Sequence, residues 1–164
     1  MGSEVTLLFV CHANTARSVM AHMLLERMLA DRGAAKSIRV RSGGIAPYAR
    51  DGMIPSLDAR LALRDVGIHL EEDAITSTDL RRHAHLVAEA DLILTMTGAQ
   101  RDMLGALDES RDRTILTLRE FAGEHGDIDD PAMQGEAVFR DCLTEIQRCL
   151  DRSVDRLLGA APGA

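Results

Sequence analysis

The sequence predicts an α/β fold, a four-stranded parallel twisted sheet with helices on both faces. Short apolar runs alternate with amphipathic stretches along the chain, which is typical of a parallel sheet that helices cover on both sides. The first apolar run, Val5–Cys11, passes into a short polar loop and then into a helical pattern. In such sheets ligands bind at the carboxyl ends of the strands, so a binding loop is expected directly after this strand.

Each element follows from a local pattern. Four short apolar runs predict strands at residues 5–11, 38–42, 91–96 and 114–117, with Gly43 and Gly44 closing the second. Apolar periodicity and capping residues predict helices at 18–32, 57–66 (capped by Ser56), 78–90 (capped by Thr78), 100–107 and 135–158. Residues 122–135 are rich in Gly, Asp and Pro and are expected to form a loop.

Composition narrows the class of protein. The chain has 164 residues, 46% of them hydrophobic, which predicts one domain over 1–164 with a frayed tail at about 159–164. A net charge of −7 without a basic stripe argues against nucleic acid as a partner. No apolar stretch has the length of a membrane span, and the N-terminus does not resemble a signal peptide. We therefore expect a cytoplasmic protein with free thiols and no membrane partner.

The segment from Cys11 to Ser18, CHANTARS, has the residues for chemistry on a phosphate group. A strand–loop–helix turn directs backbone N–H groups and a helix dipole into one concavity, which suits a tetrahedral oxyanion and favours a thiolate. Arg17 can hold two phosphate oxygens through its planar guanidinium, and Ser18 can donate a hydrogen bond to the sulfur. The alternative is that Cys11 is a small buried residue that ends a strand.

The C-x5-R spacing alone is weak evidence, because Cys142 and Arg148 share it. That second pair lies inside a predicted helix, with no strand before it and no turn to gather N–H groups. We interpret the second pair as a coincidence of spacing.

A cysteine that removes phosphate also needs a proton donor for the leaving group. Asp130, before Pro131, is the first candidate, because a residue before proline is held extended and can project from a loop. Asp127 and Asp129 are competitors, and a solvated acidic turn is the alternative interpretation.

Four segments, VTLLFVCHANTARS, RSGG, ADLILTMT and the late DDP, resemble the low-molecular-weight protein tyrosine phosphatase family, in the right order over nearly the whole chain. The resemblance implies a two-step reaction through a phosphocysteine, without metal or cofactor, on phosphorylated proteins or peptides, with inorganic phosphate and its analogues as ligands. It implies that Cys11 is the nucleophile, Arg17 the phosphate clamp and Asp130 the general acid. It places the phosphate-binding loop at His12, Ala13, Asn14, Thr15, Ala16, Arg17 and Ser18, and the hydrogen bonds that support it at Asn14, Ser18 and Ser42.

Several positions depart from the family pattern. Ala13 stands where the family usually has glycine, which is expected to strain or shift the loop. Ala16 stands where a second cysteine often lies, so no disulfide within the loop is expected. Ala132 and Met133 stand where the family tends to have aromatic residues that form a wall, so Tyr48 or Met53 would have to close the pocket.

Thr15 points to one branch of the family. Tyrosine-directed members commonly have a bulky aliphatic residue there, whereas Thr, together with TLREFAGEHGDIDDP, most resembles the bacterial protein-arginine phosphatases. The substrate expected from the sequence is therefore phosphotyrosine, phosphoarginine or both.

Two other functions stay open at this point. One is an arsenate reductase on the same fold, although residues 80–97, where resolving cysteines are expected in such reductases, contain none. The other is a catalytically weak module that binds phosphopeptides without hydrolysing them.

Overall fold

A computed structural model describes residues 4–160 and places four parallel strands in one sheet, in the order β2-β1-β3-β4. The strands are β1 (Val5–Cys11), β2 (Ile38–Gly44), β3 (Leu92–Thr95) and β4 (Ile115–Thr117). The predicted parallel sheet is confirmed. Because β2 and β3 lie on opposite sides of β1, the carboxyl end of β1 is the point where the strand order reverses, which is where ligands bind in open α/β sheets.

Helices cover both faces of the sheet, as predicted. They are α1 (Arg17–Asp31), α2 (Leu57–Asp65), α3 (His85–Glu89), α4 (Gly98–Leu104), α5 (Leu118–Phe121) and α6 (Glu136–Ala160). Side chains of β1 alternate between the two faces: Leu7, Phe9 and Cys11 join the larger core with α1 and α6, whereas Leu8 and Val10 join a smaller core with α3 and α4.

The helix predicted over residues 78–90 is wrong, since only His85–Glu89 is α-helical. The backbone before it pairs sideways with the end of β2. The N–H of Gly44 donates to the Thr78 carbonyl at 2.8 Å, and the N–H of Leu80 donates to the Gly44 carbonyl at 2.9 Å. These lateral bonds form an isolated parallel bridge and use the groups that a helix would need.

The predicted end of the second strand at residue 42 is also wrong, because β2 continues through Gly43 and Gly44. Both positions need glycine because neighbouring segments lie too close to leave room for a Cβ atom. A Cβ on Gly44 would lie 2.7 Å from the His12 carbonyl oxygen, and a Cβ on Gly43 would lie 2.5 Å from the Leu80 side chain. The glycines therefore mark close contacts, of Gly44 with the loop after β1 and of Gly43 with Leu80, and they do not mark the end of a strand.

Helix ends differ from the prediction where capping chemistry sets them. Helix α4 begins at Gly98 because Thr97 and Gln100 form a capping box, in which each side chain accepts a hydrogen bond from the other residue's backbone N–H.

Helix α6 continues to Ala160 and so includes the first residues of the segment expected to fray; the rest of that segment, 161–164, lies outside the described residues. Within residues 4–160, no helix combines the length and apolarity needed to cross a membrane.

Candidate active site

A pocket of about 280 Å³ lies at the carboxyl end of β1, between the start of α1 and the loop before α6. Cys11 and Arg17 line it together with Asp130, which lies far from them in the sequence. Four more residues of the predicted phosphate loop also line it, namely His12, Ala13, Thr15 and Ala16. The remaining two loop residues, Asn14 and Ser18, are buried and hydrogen-bonded to Cys11.

The sulfur of Cys11 is surrounded by hydrogen-bonding groups although its side chain is only 3% exposed. The backbone N–H of Asn14 donates to Sγ at 3.2 Å, and Oγ of Ser18 lies 2.9 Å from Sγ. Asn14 Nδ2 donates to Ser18 Oγ at 2.7 Å, which leaves the Ser18 proton free to point at the sulfur. The sulfur therefore has a backbone donor and a hydroxyl group within hydrogen-bond distance.

The curvature of the loop depends on Asn14. Its φ is +61°, a left-handed conformation that Asn tolerates better than most residues. Its Oδ1 accepts from the N–H of Thr78 at 2.9 Å, so the loop is anchored to the segment that pairs with β2. Among the described residues, the non-glycine positive φ angles are those of Asn14, Asp112 and Met133. Ala13 therefore imposes no left-handed strain, contrary to the expectation from its missing glycine.

The structure corrects the expected role of Ser42. Its Oγ forms a hydrogen bond with His22 Nδ1 of α1 at 3.0 Å, and it is not part of the network of Asn14 and Ser18 around the sulfur. The register explains this: Ser42 pairs with Phe9, whereas Gly44 pairs with Cys11. Ser42 is therefore one pleat below the loop and links β2 to α1.

Arg17 is 3% exposed and joins the predicted phosphate loop to the loop of residues 122–135, which we call the acidic loop. Its guanidinium donates to the Ile128 carbonyl at 2.7 Å, and its other terminal nitrogen lies 3.9 Å from Asp130 Oδ2. No side chain caps the N-terminus of α1 at Ala16. A bound oxyanion can take the place of that cap, with the guanidinium fork beside it.

Of the three candidate acids, only Asp130 lines the pocket. Its carboxyl is 52% exposed and accepts from the N–H of Ala132 at 2.9 Å, which fixes the turn. Asp127 accepts from the N–H of Gly98 at 3.0 Å, so its carboxyl caps α4. Asp129 is exposed outside the pocket. The loop is held to the sheet by the N–H of Ile128, which donates to the Met96 carbonyl at 2.8 Å.

The pocket mouth contains two residues that the sequence analysis missed, Ser56 and Phe139. Phe139 lies on the buried stripe of α6, three and four residues before Cys142 and Leu143, so helical periodicity could have identified it. Ser56 was recognised only as a helix cap. Tyr48 lines the pocket, whereas Met53 does not, so Tyr48 and Phe139 supply its aromatic surface.

Comparison with known proteins agrees with this geometry. The model of the family "low molecular weight phosphotyrosine protein phosphatase" matches residues 6–158. The chain is similar to a protein-arginine-phosphatase of Geobacillus stearothermophilus, with 33% identity over 92% of this chain and 95% of that one. It is equally similar to the probable low molecular weight protein-tyrosine-phosphatase EpsP of Ralstonia solanacearum, at 33% over 93% and 95%.

A solved structure extends the comparison to the site. It is that of YwlE arginine phosphatase, a cysteine-to-serine mutant with a phosphorylated active site serine, and it is 28% identical to this chain with a TM-score of 0.82. It covers 95% of this chain and 97% of that chain. A more distant relative, 25% identical over 94% of both chains, is an arsenate reductase of Bacillus licheniformis. The matched family model spans nearly the whole chain, and this protein therefore belongs to the low molecular weight phosphotyrosine protein phosphatase family.

Proposed function

We propose that this enzyme hydrolyses phosphorylated side chains of proteins through a phosphocysteine intermediate on Cys11. The observation that supports it most is the meeting of Cys11, Arg17 and Asp130 in one pocket, with Arg17 between the loops that hold the other two. Relatives named for phosphatase activity support the same reaction class.

In the first step the Cys11 thiolate attacks phosphorus, and the bond from phosphorus to the substrate breaks. Asp130, in its acid form, protonates the leaving group. Arg17 and the N–H groups at the start of α1 stabilise the negative charge on the phosphoryl oxygens. In the second step the Asp130 carboxylate takes a proton from water, which attacks the phosphocysteine. The hydroxyl of Ser18, 2.9 Å from Sγ, stabilises the departing thiolate.

Within this reaction we propose phosphoarginine as the preferred substrate. Thr15 lines the pocket and offers a hydroxyl where a bulky aliphatic side chain would favour a phenyl ring. Ala132 also lines the pocket and adds no aromatic surface to that of Tyr48 and Phe139. A polar guanidino group fits this combination better than a flat ring does. The similarity to a protein-arginine-phosphatase supports phosphoarginine as the substrate. The equal similarity to EpsP, a probable protein-tyrosine-phosphatase, favours phosphotyrosine instead.

The cysteines argue against the arsenate reductase alternative. That reaction needs resolving thiols, and the other cysteines, Cys142 and Cys149, both lie in α6 and are buried. Burial raises the pKa of Cys142 to about 12 and also raises the pKa of Cys149, which disfavours the thiolate that exchange requires. Two helical turns separate them, about 10 Å, which is too far for a disulfide.

The binding-module alternative does not explain Asp130. A protein that only binds phosphopeptides has no use for a carboxyl group in the phosphate pocket, where it repels the ligand's negative charge. Asp130 lies there, 3.9 Å from the phosphate clamp.

Replacement of Asp130 by alanine tests the assignment of the acid. We expect kcat for substrates with poor leaving groups to fall by about 10²- to 10⁴-fold, since they depend most on protonation. The loss for an aryl phosphate with a good leaving group should be much smaller. Asp129→Ala is the matched control, because it removes a neighbouring carboxyl outside the pocket. If Asp129→Ala shows the leaving-group dependence and Asp130→Ala does not, the acid is wrongly assigned.

A further inference from the structure

Gln100 is a fully buried amide whose orientation is fixed by the backbone. Its Oε1 accepts hydrogen bonds from two N–H groups, those of Met96 at 2.9 Å and Thr97 at 3.0 Å. The oxygen must face these donors, so the other end of the amide, Nε2, is the group that lies 3.1 Å from His12 Nδ1. An amide N–H is a donor only, which leaves Nδ1 of His12 to accept.

This contact determines the protonation of His12. A ring nitrogen that accepts a hydrogen bond has no proton, so the proton of the neutral ring lies on Nε2. A protonated ring would place a second N–H against the amide N–H. The charged and titratable groups around His12 are Arg17 of α1, Asp130 of the acidic loop, the adjacent Cys11, and Tyr48 after β2. Burial and the charge of Arg17 lower the pKa of His12, and Asp130 opposes them.

We propose that Gln100 is a positioning residue that holds His12 in the pocket wall as the neutral imidazole with its proton on Nε2. The inference deepens the proposed function, because it concerns the same phosphate pocket. The positive charge facing the oxyanion then stays with Arg17. The ring of His12 meets that of Tyr48 edge-on, with centroids 6.3 Å apart, so both form one uncharged wall. An uncharged wall does not repel a cationic guanidino group.

The tautomer is directly measurable. In the full-length protein labelled with ¹⁵N, the side-chain nitrogen shifts of His12 identify which ring nitrogen is protonated, and the spectrum of His12→Gln assigns them. We expect an unprotonated Nδ1, a protonated Nε2 and a titration midpoint below the ordinary value of about 6.5. A protonated Nδ1 in the neutral ring, or a midpoint at or above that value, would overturn the proposal. This measurement needs no activity, so its outcome is separate from that of the proposed phosphatase reaction.

Gln100→Glu is a sharp perturbation, because one carboxylate oxygen can still accept from both backbone N–H groups. Only the group facing His12 changes, from a donor to an acceptor. The two N–H donors keep the new carboxylate ionised, and it should raise the titration midpoint of His12 by about one pH unit or more. Binding of inorganic phosphate should then strengthen as the pH falls through that midpoint, because a second cation faces the anion.

The double variant Gln100→Glu, His12→Gln is the matched control. It retains the new carboxylate and removes the ring. The increase in phosphate affinity that Gln100→Glu adds at low pH should therefore disappear. A folded Gln100→Glu variant with an unchanged His12 midpoint would refute the positioning role. The role would also be refuted if the single and double variants showed an equal increase in phosphate affinity as the pH falls. If Gln100→Glu does not fold, the nitrogen shifts of the wild-type protein still decide the proposal.

Discussion

Replacement of Cys11 by serine is expected to lower kcat/KM for phosphate release by a factor of about 10⁴ or more. A serine hydroxyl is a far weaker nucleophile than a thiolate. The dissociation constant for inorganic phosphate, measured by titration calorimetry, should remain near the wild-type value. Arg17 and the N–H groups of the loop, which we propose bind the anion, are untouched.

Cys142→Ser is the matched control for this change. Cys142 heads the second C-x5-R match, but it lies buried inside α6, with its Sγ 3.9 Å from the Asp129 carbonyl. The substitution keeps a side chain of similar shape outside the pocket lining, so the folded variant should turn over at a rate near that of the wild type. Residual turnover of Cys11→Ser near the wild-type rate, or an equal loss in both variants, would contradict the assigned nucleophile.

Arg17→Lys is expected to reduce kcat by about 10²- to 10³-fold although the positive charge is kept. A lysine ammonium cannot hold two phosphoryl oxygens in one plane. It also cannot hold the phosphate while donating to the Ile128 carbonyl, the bond that ties the acidic loop to the phosphate loop. Steady-state kinetics should therefore show a loss in kcat that exceeds any rise in KM.

Arg148→Lys serves as the control, because Arg148 pairs with Glu124 on the surface and lies outside the pocket. Its kinetic constants should be those of the wild type. If Arg17→Lys retains most of the wild-type kcat, a point charge is sufficient and the clamp is wrongly described.

The sequence predicted the parts of the fold that depend on local pattern. Strand β1 and helix α1 were predicted because an apolar run and an apolar periodicity are both visible in the local sequence. The segment 78–84 was not, because its backbone pairs with Gly44 of β2, a residue more than thirty positions earlier. A local stretch of sequence does not reveal pairing over such a distance. Here that pairing overrides the helical propensity of residues 78–84.

The same distinction applies to the site. Cys11, Arg17 and the turn between them form one continuous segment, so their proximity was implied by the chain itself. Asp130 was selected from three aspartates by its proline, and the geometry now separates it from Asp127, whose carboxyl caps α4. Gln100 could have been found only as part of a capping box, since its contact with His12 joins segments 88 residues apart.

Phosphate release should be measured from two peptides of one sequence, one with phosphoarginine and one with phosphotyrosine at the same position. We expect release that exceeds the Cys11→Ser blank, with the larger kcat/KM for phosphoarginine, and a smaller preference in Thr15→Ile. A preference for phosphotyrosine would refute the substrate proposal while leaving the proposed reaction in place. No release from either peptide above the Cys11→Ser blank would refute the proposed phosphatase reaction itself.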